Sequence, residues 1–186
     1  MISTALDRLA APPSSKLLGW HLLDARPTEG WVRIGFDGKA EFCNPAGFVQ
    51  GGILSAMLDD TMGPAVFVMT QGEFYAVTIT MSVNFLAPAK PGLIVGEADV
   101  TQLGKTIAFV EGWLVAEDGT FLATATASAR LVETAKAIQA QIDSGPKRTS
   151  IWGRNDDCLG SQHCLDGSNM AGARMYPAQT CCAQRS

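Results

Sequence analysis

The stretch from Asn44 to Ala65, NPAGFVQGGILSAMLDDTMGPA, constrains this chain more than any other. It runs from a loop through a glycine pair into an apolar segment that carries two adjacent carboxylates. Carboxylates are rarely placed in an apolar helix unless something there uses them, because burying an unpaired charge is costly. Ile53, Leu54, Ala56, Met57 and Leu58 are good helix formers, and the apolar pattern resumes after Gly63-Pro64 through Met69. This predicts one helix from about Gly52 to about Thr70, disturbed at Pro64, where a backbone donor is missing. Apolar residues fall on almost every side of it, so the helix should be buried and wrapped by a sheet.

Gly51-Gly52 reads either as a flexible loop-to-helix junction or as a helix start left bare for a ligand. The first N–H groups of a helix have no internal partner and carry the positive end of its dipole. They can hold an anion or polarise a carbonyl oxygen. Asp59 and Asp60 point about 100° apart on a helix, so they do not share one role. One of them should face solvent or cap a neighbour. The other is placed to face a ligand held near the Gly51 N–H of another subunit.

The rest of the chain reads as strands and turns. Met1 to Ala11 suggests a short helix ended by Pro12-Pro13, and Leu17 to Ala25 a strand. Trp31 to Phe36 follows as a second strand. Tyr75 to Leu86 alternates strictly, with Tyr75, Val77, Ile79, Met81, Val83 and Phe85 on one face, which should point to the core. Its other face, with Thr78, Thr80, Ser82 and Asn84, suits water, a ligand or a second subunit. Leu93–Leu103, Thr106–Ala116 and Phe121–Val132 complete an antiparallel series, and Glu133 to Asp143 reads as a helix. Strands running on after one buried helix fit an α+β layer pair, not a Rossmann-type alternation. The organisation expected is an N-terminal helix and linker over 1–16, a folded domain over 17–143 and a poorly ordered extension over 144–186.

Charge and cysteine use bound the function. The formal net charge of −4 gives no electrostatic case for nucleic acid. Residues 1–144 carry nine basic and fifteen acidic side chains; the remainder carries five and three. Only Cys43 lies before residue 150, so the body is not a disulfide framework. Cys43 lacks an evident His partner and reads as a buried thiol, and His21 reads as a structural residue in a strand. Cys158, His163, Cys164, Cys181 and Cys182 lack the spacing of a zinc site. There is no signal-peptide pattern and no uninterrupted apolar run of membrane-spanning length, so the expectation is a cytoplasmic protein.

Asn44, Gly51-Gly52 after Gln50, and an aspartate nine positions after that Gln together resemble the hot-dog-fold acyl-CoA thioesterases, in the PaaI-like and 4-hydroxybenzoyl-CoA thioesterase branch. The likeness runs from about Leu17 to Val132. It implies a curved antiparallel sheet around one long helix, and a dimer or tetramer with active sites at the dimer interface. It also implies hydrolysis of an acyl- or aryl-CoA thioester to free acid and CoA, without a metal or redox cofactor. On this likeness the Gly51 N–H polarises the thioester carbonyl, Asp59 acts as nucleophile or general base, and Asn44 orients substrate or water. Gln50, Gly52 and Thr78 would assist binding. Gln50 stands where many members have His; it donates and accepts hydrogen bonds but cannot become cationic. Phe48, Met62 and Phe85 are candidate pocket walls. The rivals are an acyl-CoA sensor without turnover, an interaction protein whose aspartates only solvate the helix, and a hot-dog dehydratase. The last generally pairs a histidine with the carboxylate.

Overall fold

A computed structural model describes residues 4–143. The expectations for the extension beyond them, including its cysteines, lie outside the described residues. The elements in order are α1 (Pro13–Leu18), β1 (His21–Arg26), β2 (Trp31–Gly38), α2 (Gly51–Met69), β3 (Phe74–Phe85), β4 (Gly92–Leu103), β5 (Ile107–Ala116), β6 (Phe121–Glu133) and α3 (Thr134–Asp143), with a 3-10 turn at Ala5–Arg8. The six strands form one antiparallel sheet in the order β1-β2-β4-β5-β6-β3. The sheet packs around α2, which is the hot-dog arrangement.

The core follows from strand alternation. Val32, Ile34 and Phe36 on β2 are fully buried, as are Ile94, Leu114 and Leu122 on the neighbouring strands. They meet Leu54, Met57, Leu58, Ala65 and Val66 of α2. Gly96 on β4 and Gly112 on β5 let the helix lie close to the sheet. A Cβ at Gly112 would stand 2.9 Å from Met62, and one at Gly96 would overlap the Thr61 hydroxyl.

Pro64 does not break α2, which is continuous over 19 residues. Proline removes the donor that would serve the carbonyl of Asp60. The Trp20 indole N–H takes its place, donating to the Asp60 carbonyl at 3.0 Å. By length and composition alone α2 is apolar enough to cross a membrane, but here it is the helix the sheet wraps.

Three local expectations differ from the structure. The helix expected over Met1 to Ala11 is, among the described residues, only the 3-10 turn at Ala5–Arg8, and Pro12-Pro13 begins a helix instead of ending one: Pro13 occupies the first turn, where its missing N–H costs nothing. Gly19, at φ 69°, closes that helix, so Leu17 and Leu18 are helical and β1 starts only at His21. The predicted inward face of β3 is reversed in its first half. The pairing with β6 slips between Thr78 and Thr80, and this bulge at Ile79 inverts the alternation on one side of it. Met81 and Val83 pack on the core as expected, but so does Ala76, and Thr78 reaches Asp59 on α2. Tyr75, Val77 and Ile79 are left 50, 46 and 56% exposed on an edge strand.

The His21 ring lies on Gly35, with its Nδ1 3.0 Å from the Gly19 carbonyl. Cys43 is a half-buried free thiol, less enclosed than expected.

Candidate functional site

The uncovered stripe of α2 carries Gly52, Ala56 and Asp59, with half-buried Gly51, Ser55 and Gly63 beside them. These positions recur at three- and four-residue spacing, so they form one face of the helix. Every residue on it except Asp59 is small. Across from it, on β3, the Thr78 hydroxyl donates to Asp59 Oδ1 at 2.7 Å. The two residues were separately expected to be functional, and the fold joins them through the inverted half of β3.

Asp60 is turned away, toward the N-terminal segment. The Ser15 hydroxyl donates to its Oδ2 at 2.8 Å. Burial pushes the Asp60 carboxyl above its ordinary pKa; the Ser15 hydrogen bond partly opposes this, and the neighbouring Asp59 charge adds to it. A raised pKa in the folded state favours folding at acid pH and loses that advantage as pH rises through the folded value. Ionised Asp60 therefore costs stability near neutrality. Asp60→Asn, which can still accept from Ser15, is expected to match or exceed wild-type stability at neutral pH. The difference should shrink on acidification, with the carboxylate chemistry at Asp59 intact. Thermal unfolding at neutral and acid pH checks this; a clearly less stable variant at neutral pH contradicts it.

The start of α2 forms a second group. Asn44 Oδ1 accepts from the N–H of Ala46 at 2.9 Å and of Phe48 at 3.3 Å. The Val49 N–H donates to the Ala89 carbonyl, and the Gln50 N–H to that of Phe42. These bonds set the loop so that Gln50 enters the helix without a side-chain cap. The N–H groups of Gly51 and Gly52 find no partner among the described residues. A Cβ at Gly52 would meet nothing within 4 Å, whereas one at Gly51 would stand 3.0 Å from the Phe85 ring. Two donors without a partner among the described residues thus stand at the positive end of a long helix.

These two groups lie on one helix but not at one place. Gly51 and Asp59 are eight residues apart, which is about 12 Å along the axis. A single carbonyl carbon cannot meet both within one chain.

Asp59 and Thr78 border a cavity of about 190 Å³ that the sequence did not reveal. Its floor is Gly63, Pro64 and Phe67 of α2, and its roof is the N-terminal segment with Leu6, Leu9 and Pro12. Trp20 stands at its side. None of the expected walls lines it. Met62 is buried against β5, Phe85 covers Gly51, and Phe48 belongs to the loop before α2. The one sequence signal for the missing side was Pro64, whose orphaned carbonyl partner had to be served from elsewhere.

Residues 46–123 match the Thioesterase superfamily. A solved phenylacetic acid degradation-related protein from Ralstonia eutropha shares 31% identity over 68% of this chain and 95% of its own, with a TM-score of 0.64. The E. coli PaaI protein, from the phenylacetic acid degradation operon, superposes with a TM-score of 0.58 at 20% identity, over 63% of this chain and 83% of its own. A Streptococcus mutans protein bound to acetyl CoA superposes at 0.55 and 22% identity, over 61% and 89%. No curated protein matches in sequence.

Proposed function

Because this chain belongs to the thioesterase superfamily, we propose that it hydrolyses an acyl-CoA or aryl-CoA thioester, with water, to a carboxylic acid and CoA. The observation that carries this reading is Asp59 itself. It lies on the uncovered face of a largely apolar helix, held by Thr78 at 2.7 Å, at the edge of a mostly apolar cavity. Asp59 either attacks the thioester carbonyl, forming an anhydride that water opens, or takes a proton from the attacking water. In both routes the C–S bond breaks and CoA leaves as the thiol. The developing oxyanion is held by the bare N–H groups at Gly51 and Gly52. CoA as the leaving thiol is in keeping with the acetyl CoA carried by the Streptococcus mutans neighbour.

The 12 Å between donor and carboxylate is resolved by a second copy of the chain. Two α2 helices laid antiparallel about a two-fold axis near Ser55 and Ala56 bring Gly51 and Gly52 of one opposite Asp59 of the other. The small residues of the uncovered stripe permit that approach. The free edge of β3, twelve residues long with apolar side chains exposed, is the edge through which two sheets join. The assembly is therefore a dimer or a multiple of one, with two sites at each interface. Asn44 and Gln50 enter each site beside the glycines, Asn44 through its amide group and Gln50 through its exposed side chain.

The test is loss of the thioester across short, long and aromatic acyl-CoAs. It is best followed through the thioester's own absorbance, since the chain carries five cysteines. Near-full turnover by Asp59→Asn with every ester would overturn the assignment. Tight binding without CoA release by wild type would make the protein an acyl-CoA sensor, the reading that Gln50 favours.

A further inference from the structure

The cavity beside Asp59 is closed at its far side by a segment that lies outside both the central helix and the sheet. Leu6, Leu9 and Pro12 roof it, while Gly63 and Phe67 form the floor. The roof is fastened, not draped. Leu6 packs on the core, and Ala5 lies against Gly72. Thr4 and Asp7 exchange capping hydrogen bonds across the 3-10 turn. Ser15 and Trp20 tie the chain that follows to Asp60. The polar groups bordering the cavity, Asp59 with Thr78 and Asp60 with Ser15, are each already paired. Apart from these pairs and the Tyr75 side chain, most of the wall offered to a ligand is apolar.

We propose that this cavity holds the acyl group of the thioester, and that the N-terminal segment sets the longest acyl group accepted. This rests on the thioesterase reading for the placement of the carbonyl at Asp59, and adds the residues that choose the substrate. The volume decides the class. An apolar cavity of about 150 Å³ holds a benzene molecule. At ~30 Å³ per water-sized group, 190 Å³ takes roughly six carbon atoms beyond the carbonyl. A compact or medium-length acyl group fits, and a long fatty chain does not unless the roof lifts. Gly63 belongs to the same device. Glycine within a helix is less stable than alanine, yet a Cβ there would meet nothing within 4 Å. The empty space above Gly63 is room for the ligand.

The experiment is calorimetric binding of straight-chain acyl-CoAs, acetyl to palmitoyl, to the full chain carrying Asp59→Asn, so that hydrolysis does not interfere. Affinity should rise about fourfold per methylene and stop rising near the hexanoyl to octanoyl esters. Leu9→Ala, in the same background, should move that break to esters two or three carbons longer. Gly63→Ala should move it shorter while raising thermal stability. A break that stays in place in both variants, or an affinity that climbs smoothly to palmitoyl in the parent, overturns the proposal, as does the absence of any binding. Turnover by the chain with native Asp59 is read separately. A chain that binds with this length profile but releases no CoA loses the hydrolase reading and keeps this one.

Discussion

Co-expressing Asp59→Asn with Gly51→Pro subunits should restore roughly a quarter of wild-type turnover, although each variant alone is nearly inactive. Removing the carboxylate proposed to attack the carbonyl or to activate water is expected to cost about 10²–10⁴-fold. Gly51→Pro is chosen because it deletes one donor and little else. Proline is favoured at the first position of a helix. Gln50 before it, at φ −65° and ψ 140°, already has the conformation that a residue preceding proline prefers. The added Cβ would stand 3.0 Å from the Phe85 ring, which must shift by a few tenths of an ångström. Loss of one oxyanion donor typically lowers turnover about 10²–10³-fold.

The recovery on mixing comes from geometry. Gly51 and Asp59 lie too far apart along α2 to serve one carbonyl within a chain. On the proposed function, each site takes its glycine from one subunit and its aspartate from the other. A mixed dimer then has one site with both lesions and one with neither. Half the dimers formed at random are mixed, which gives the quarter. If the co-purified mixture is no more active than its two parents, the shared site is wrong, and the carboxylate and the amide belong to different functions.

The parts of this site that could be read from the sequence are those whose partners are close in the chain or marked by residue type. A carboxylate in an apolar helix is conspicuous, and so is a glycine pair before it. Thr78 is named by the likeness to the family, whereas alternation along its strand only places it on the face away from the core. Alternation assigns faces only while the pairing keeps its register, and a single bulged residue at Ile79 reverses them. The roof of the cavity was invisible for a different reason. Ser15 and Trp20 meet Asp60 across 45 and 40 residues of sequence, and no local periodicity reports such contacts. Leu6 and Leu9 stand three residues apart in the sequence, but nothing local places them beside Gly63. Gly96 was likewise unremarkable in the sequence, a glycine within a strand, until the helix it accommodates was in view.

That glycine carries the largest effect on stability. Gly96→Ala is expected to destabilise the fold by about 2–3 kcal/mol, lowering the melting temperature by about 5–10 °C. The added methyl would overlap the Thr61 hydroxyl and stand 3.0 Å from the Phe36 ring. Neither neighbour can easily yield. Both are fully buried, and the Thr61 hydroxyl is fixed by donating to the Met57 carbonyl at 2.7 Å. The helix would have to rise from β4, and Asp59, two residues before Thr61, would move with it. Thr61→Ala removes the atoms that the new methyl strikes, and alone leaves a small void costing about 1 kcal/mol. The double variant should therefore be more stable than Gly96→Ala alone, because the alanine at 96 fills the void at 61. Unfolding in denaturant of the four proteins in this cycle measures the coupling. Strictly additive losses would mean that the contact between Gly96 and Thr61 does not set the height of the helix above the sheet. A coupled cycle in which Gly96→Ala also slows turnover, with recovery in the double variant, would tie that height to the position of Asp59.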